Sequence, residues 1–304
     1  MLSVKNIIKY LRLLGLGILA YIIYSLDIPH VIQVLRRIDI RLVGLYFLFF
    51  FLFYFVKVYR WHILHNHLGK TISYANNVSL NIESYYLGFF TPGRFGDVVK
   101  VILMKEYFDI EAKKGIVIYL HDRFQDLFCM CLLAVIGIFF VINYHFPSLL
   151  YLVLGLVFMT FIFKNRLINL VRRLFNMSVD MSIDASIEIK MMLLNVVIYA
   201  LYFLQFYVLA RSLGIVVSFT YLSSVVAIAA VLALVPISIS GLGIREGTFM
   251  FFLSRVGIEK EKAVILSLLD NVVFGILLII ILYLLNLFYF KKTLLKQNKK
   301  ASTP

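Results

Sequence analysis

The chain has 304 residues, 62% of them apolar and only 15% charged, with a mean hydropathy of +0.94. That lies far outside the range of soluble domains, so the stretches Leu42–Val56, Cys129–Val141, Leu149–Phe163 and Val272–Phe290 read as membrane helices. The formal net charge is +14, but the Lys and Arg residues fall between apolar segments and at the C-terminus, where the positive-inside rule accounts for them without a nucleic-acid ligand.

In chain order, a basic start (Lys5, Lys9, Arg12) runs into an apolar segment with no small-x-small cleavage site after it, so it reads as a retained first span. Full spans are expected at about 7–26, 41–61, 112–142, 147–164, 187–211 and 260–290. The aromatic run Tyr46 to Phe55 in the second reads as lipid-facing bulk. Two further segments, about 74–108 and 218–255, each enter as a helix, break at a Gly-rich turn and continue as a half-helix. Residues 165–185 alternate basic and apolar positions, as an amphipathic helix on the membrane surface does. Cys129 and Cys131 sit two apart in one apolar helix, a spacing that suits neither a disulfide nor a metal pair.

Charge decides how the two broken segments cross. The Lys164–Lys190 loop carries Arg166, Arg172 and Arg173, and the tail carries Lys291, Lys292, Lys296, Lys299 and Lys300, so both belong on the cytoplasmic side with the N-terminus. That holds only if both broken segments are re-entrant, which places Arg36, Arg37 and Arg41 near the external surface. The expected fold is therefore all-α: a polytopic protein of the cell membrane, with about six full transmembrane helices plus two re-entrant hairpins in inverted repeats. It forms a single transmembrane domain over 1–304, with repeat units at about 74–142 and 218–290.

The breaks carry the chemistry. The first reads Phe-Thr-Pro-Gly-Arg-Phe-Gly-Asp, ending at Asp97, and the second runs from Pro236 to Gly247. A spacing of 148 residues separates Gly93 from Gly241, and it also pairs Ile110 with Ile258, Glu111 with Glu259, Lys114 with Lys262, Leu120 with Leu268 and Asp122 with Asp270. Half-helices that begin inside a membrane aim unpaired amides and a positive dipole end at the cleft, which suits a phosphate or carboxylate. Arg94, Lys100 and Arg245 add full charge there, while Asp97 and Glu246 either cap the half-helices or balance those cations. Asp122, Arg123 and Asp126 lie ten to fourteen residues into their span, close to the midplane at about 1.5 Å per residue. Charges at that depth are either an internal ion pair or the lining of a substrate path. Asn77, Asn81 and Ser84 form a polar stripe of the kind that lines a cavity or a helix contact. His62, His65 and His67 lack a nearby carboxylate or cysteine, so no metal is expected. With no P-loop, dinucleotide fingerprint or nucleophile elbow, no cofactor or catalytic residue is expected either.

Arg60-Trp61, Thr91 to Asp97 followed by Lys100, Asp122-Arg123-x-x-Asp126, and Pro236 with Gly241 to Gly247 together resemble the lysylphosphatidylglycerol synthase transmembrane-region family, also called flippase-like membrane proteins. Relatives usually carry Glu where Asp97 stands and often Arg near the position of Asn271. The resemblance implies translocation of a lipid with an anionic or polyprenyl-phosphate head group. The substrate-binding set is then Gly93, Arg94, Asp97, Lys100, Asp122, Arg123, Asp126, Gly241, Arg245, Glu246 and Asp270. The partner expected is a membrane lipid, either an anionic phospholipid or a polyprenyl-phosphate-linked glycan. The alternatives are a membrane glycosyltransferase, or an accessory subunit for a separately encoded transferase or synthase in lipid-linked glycan synthesis.

Overall fold

A chain this apolar must satisfy its backbone groups within each segment, and among the described residues helix is the only regular structure. The computed structural model describes residues 21–68, 71–89, 97–142, 166, 183–234 and 241–290. The expected span at 147–164, the amphipathic segment up to residue 182, most of the first span, the basic tail and the turns at 90–96 and 235–240 lie outside them.

The helices are α1 (Ile28–Arg36), α2 (Ile40–Leu68), α3 (Tyr74–Phe89), α4 (Val99–Phe108), α5 (Ala112–Ile142), α6 (Ala185–Ser212), α7 (Phe219–Leu232), α8 (Ile244–Ser254), α9 (Lys260–Leu268) and α10 (Gly275–Leu285). A π-helical turn, Leu269–Phe274, joins α9 to α10, and another, Asn286–Phe290, follows α10. Among the described residues three stretches are long and apolar enough to cross a membrane: Ile40–His67, Ala185–Ser212 and Lys260–Phe288. Both segments expected to break do so, as α3–α4 and α7–α8.

Burial shows which faces meet lipid. On α6 the exposed large apolar positions are Ile189, Met192, Leu193, Val196 and Val197, a surface suited to contact with a bilayer. On α2 the buried stripe runs Val43, Tyr46, Phe50, Tyr54, Val58, Trp61 at spacings of three and four, while Leu48 and Leu52 face outward. The expectation that the aromatic run is lipid-facing bulk is thus corrected. Helical periodicity turns Tyr46, Phe50 and Tyr54 into the core, where Phe274 lies 5.0 Å from Tyr46 and Tyr85 5.8 Å from Tyr54, and the neighbouring Phe53 meets Tyr202 of α6 at 5.6 Å.

α2 and α6 form the central pair and run antiparallel, because Tyr46 meets Gln205 while Arg60 meets Asn195. Around them one packing pattern occurs twice. α3 packs on α2, α4 and α10, and α7 packs on α6, α8 and α5; α4 also packs on α5 as α8 packs on α9. Exchanging α2 with α6, α3 with α7, α4 with α8 and α5 with α9–α10 maps each of these contacts onto another.

Candidate functional site

Two buried polar clusters form on the central pair, toward opposite ends. The first is built where α2, α5 and α6 meet. The Arg60 guanidinium is fully buried; its Nη2 donates to Asp122 Oδ1 at 2.7 Å and its Nη1 lies 2.6 Å from Asp126 Oδ1. Its Nη1 also donates to Asn195 Oδ1 on α6. Asp122 and Asp126 are four apart on α5 and share a face, so one forked cation reaches both. Lys57 Nζ, one helical turn before Arg60, takes the other Asp126 oxygen at 2.8 Å. Tyr199 on α6 donates to the Asp126 carbonyl at 2.9 Å.

Arg123 points to the other side of α5. Its Nη1 lies 3.1 Å from Asp97 Oδ2 and its Nη2 lies 3.3 Å from Asp122 Oδ2. Asp97 stands just before α4, close against α3: a Cβ on Gly88 would lie 2.1 Å from Asp97 Oδ1. Glycine at 88 is what lets that carboxylate approach, and Ser84, one turn earlier, donates to the Asp97 carbonyl at 3.3 Å. Lys100, on the first turn of α4, is buried with its Nζ 4.4 Å from the centre of the Trp61 ring. Among the described residues no carboxylate lies within 4.0 Å of that ammonium. Among the described residues, Lys57, Arg60, Lys100 and Arg123 face Asp97, Asp122 and Asp126, leaving one positive charge in excess.

The second cluster lies where α6, α8 and the π turn meet. Arg245 Nη2 reaches Asp270 Oδ2 at 3.1 Å and its Nη1 donates to Asn271 Oδ1 at 3.2 Å. Asp270 Oδ1 accepts from Tyr46 Oη at 2.9 Å and from Gln205 Nε2 at 3.0 Å. Glu246 does structural work: it accepts from the Gly243 amide at 2.6 Å and from Ser267 Oγ at 2.8 Å, which caps α8 and ties it to α9. Gly241 and Gly243 hold φ of 79° and 85°, and a Cβ on Gly241 would lie 2.6 Å from Ala233 Cβ. The half-helix therefore starts at a turn that only glycine forms without strain, packed on the end of α7.

Of the sequence-expected set, Gly93 and Arg94 lie outside the described residues. Asp97, Lys100, Asp122, Arg123 and Asp126 come together in the first cluster, and Gly241, Arg245, Glu246 and Asp270 in the second. Cluster residues outside that set are Lys57, Arg60, Asn195 and Tyr199 in the first, and Tyr46, Gln205, Ser267 and Asn271 in the second. Lys57 and Arg60 carried a usable signal, since both fall inside an expected span where a charge needs a partner. The histidines are absorbed elsewhere: His62 meets Asn77 at 2.7 Å, and His65 is buried beside the Trp61 ring. Among the described residues no group of His, Cys, Asp or Glu is arranged to hold a metal ion.

A sequence profile described as Lysylphosphatidylglycerol synthase TM region matches residues 12–282, nearly the whole chain. The chain belongs to this family. Both clusters lie within the matched residues. Family and apolar helices together make it an integral membrane protein. No curated protein matches the chain.

Proposed function

We propose that this protein translocates a lipid with an anionic head group across the cell membrane, the head group passing through the polar interior while the tails stay in lipid. One observation carries the reading: ionised side chains are held, paired and buried, at both ends of a helix pair whose outer surface is apolar. Burying charges costs several kcal/mol per ion unless they are compensated. The two sites lie about 21 Å apart along α2 (Tyr46 to Arg60), so compensated polar groups occur at two depths of an otherwise apolar helix pair, as a crossing polar head group requires.

The twice-occurring packing pattern and the antiparallel α2–α6 pair support two inverted repeats, with α3–α4 and α7–α8 as re-entrant hairpins opening from opposite faces. With the basic loops inside, both termini are cytoplasmic and the Arg60 cluster lies toward the cytoplasm. The excess positive charge there suits a phosphate, whether of an anionic phospholipid or of a polyprenyl-phosphate-linked glycan.

The test uses purified protein in liposomes that hold a fluorescent anionic phospholipid or a chemically accessible polyprenyl phosphate. Translocation changes the fraction exposed on each leaflet and leaves the lipid's mass unchanged. A sugar or aminoacyl group appearing on the lipid when a donor is supplied would make the protein an enzyme. Neither outcome across a panel of anionic lipids would leave it an accessory subunit of a separate synthase or transferase.

A further inference from the structure

The two clusters are counterparts in position but not in charge. Arg60 of α2 bridges Asp122 and reaches across to Asn195 of α6; Gln205 of α6 bridges Asp270 and reaches across to Tyr46 of α2. The spacing that relates Asp122 to Asp270 relates Arg123 to Asn271, Asp126 to Phe274 and Asp97 to Arg245. At each of these counterpart positions the second half differs in charge. Among the described residues the first cluster keeps one positive charge in excess, whereas in the second Arg245 is matched by Asp270, and the adjacent Glu246 is held by the Gly243 amide and Ser267, so no positive charge is in excess.

Access differs as well. Lys57 and Arg123 are 29% and 26% exposed at their side chains, while Arg245 is 8% exposed; all three are paired with carboxylates, so exposure is what sets them apart. Arg60, at 0%, spends its terminal nitrogens on Asp122, Asp126 and Asn195 and has none to offer a ligand. Lys100 rests on an aromatic face instead of a carboxylate, a weaker compensation that leaves its charge to be felt by an incoming anion. Among the described residues the buried Trp61 indole N–H and the Nε groups of Arg60 and Arg123 have no hydrogen-bond partner, against the single Nε of Arg245 in the second cluster. Between the clusters lies an aromatic layer of Phe50, Phe53, Tyr54, Tyr202 and Phe206, which offers a phosphate no charged donor.

We propose that the head-group phosphate docks at the first cluster alone, with Lys57 and Arg123 as its direct contacts, Lys100 behind them and Arg60 as a positioning residue, and that the Tyr46–Gln205–Arg245–Asp270 network takes no anion. This rests on the translocation reading for its substrate class, but docking is measurable without transport. The protein contains its own probe: Trp61 is the only tryptophan in the chain, and Lys100 lies against its ring.

The full-length protein in mild detergent is titrated with a short-chain phosphatidylglycerol, with the matching phosphatidylcholine as control, and Trp61 fluorescence is followed. The expected result is a saturable change with phosphatidylglycerol only. Lys57→Gln, which leaves Arg60 on Asp126, raises the half-saturation concentration about tenfold, as loss of one charge-assisted contact does. Arg123→Gln does the same, and Arg123→Lys, which keeps the charge, recovers most of the affinity. The double variant Arg245→Gln/Asp270→Asn removes a matched pair, strands neither partner, and leaves half-saturation within about twofold. An equal response to phosphatidylcholine, or a double variant that weakens phosphatidylglycerol as much as Lys57→Gln does, overturns the proposal. A Trp61 response without leaflet movement in liposomes keeps the docking site and removes translocation. Leaflet movement at full rate in Lys57→Gln, with no anion-specific Trp61 response, removes the docking site and keeps translocation.

Discussion

Replacing Arg60 with Met should be the most damaging single change in the first cluster. Met fills a similar volume, so the loss is chiefly electrostatic. Taking away one partner of a buried ion pair costs about 3–5 kcal/mol, because the remaining charge stays buried without its counterion. Two carboxylates lean on Arg60 here, but each retains a second cation: Lys57 on Asp126 at 2.8 Å and Arg123 on Asp122 at 3.3 Å. That places the expected loss near the lower end, about 3 kcal/mol. The rescue follows from the same contacts. Arg60→Met combined with Asp122→Asn leaves Lys57 on Asp126 and Arg123 on Asp97, with every remaining charge of those pairs matched, and should regain about 2 kcal/mol. Both changes are read from helicity during unfolding of micellar protein with dodecyl sulfate. A loss below about 1 kcal/mol for the single variant, or a double variant no more stable than the single, would refute the assignment of Arg60 as the central cation.

Gly88→Ala should displace Asp97 from Arg123, since the new Cβ would lie 2.1 Å from Asp97 Oδ1; leaflet redistribution should fall more steeply than protein abundance on a blot. Gly241→Ala should cost about 2 kcal/mol or more in the same unfolding assay, because φ of 79° is joined by a 2.6 Å contact with Ala233. Gly257→Ala, at the same φ of 79° but with nothing within 4 Å, should cost only about 1 kcal/mol. In a background lacking Cys129 and Cys131, a cysteine at Val216 should react with an impermeant thiol reagent on intact cells, and one at Asp184 should not. The reverse pattern would invert the assigned orientation of α6.

The covalent pattern of the chain carried much of this fold. Both helix breaks and the full extent of α5 were legible from Gly-rich turns and apolar runs alone, because those signals are local. The face of α2 was not: its aromatics look alike in sequence, and only the approach of α6 sorts Tyr46 and Phe50 inward from Leu48 and Leu52 outward. The pairing of charges was legible only in part. Asp122, Arg123 and Asp126 sit together on one helix and suggested a self-contained group. Arg60, 62 residues before Asp122, is the cation that reaches both carboxylates, and its Asn195 partner is 135 residues away. Such contacts depend on which helices pack together, which a single sequence does not encode locally. Gln205 and Tyr46 went unnoticed for a further reason, since neutral polar groups in an apolar helix carry no charge to draw the eye.

Translocation itself is tested most directly by the initial rate at which a head-group-labelled phosphatidylglycerol becomes accessible to an impermeant quencher in protein-containing liposomes. The wild type should move it faster than protein-free vesicles do, and it should leave a labelled phosphatidylcholine behind. Lys57→Gln and Arg123→Gln, where they fold, should bring the phosphatidylglycerol rate down toward the protein-free level. Equal rates for the two lipids, or a rate indifferent to both substitutions, would contradict passage of an anionic head group through this cluster.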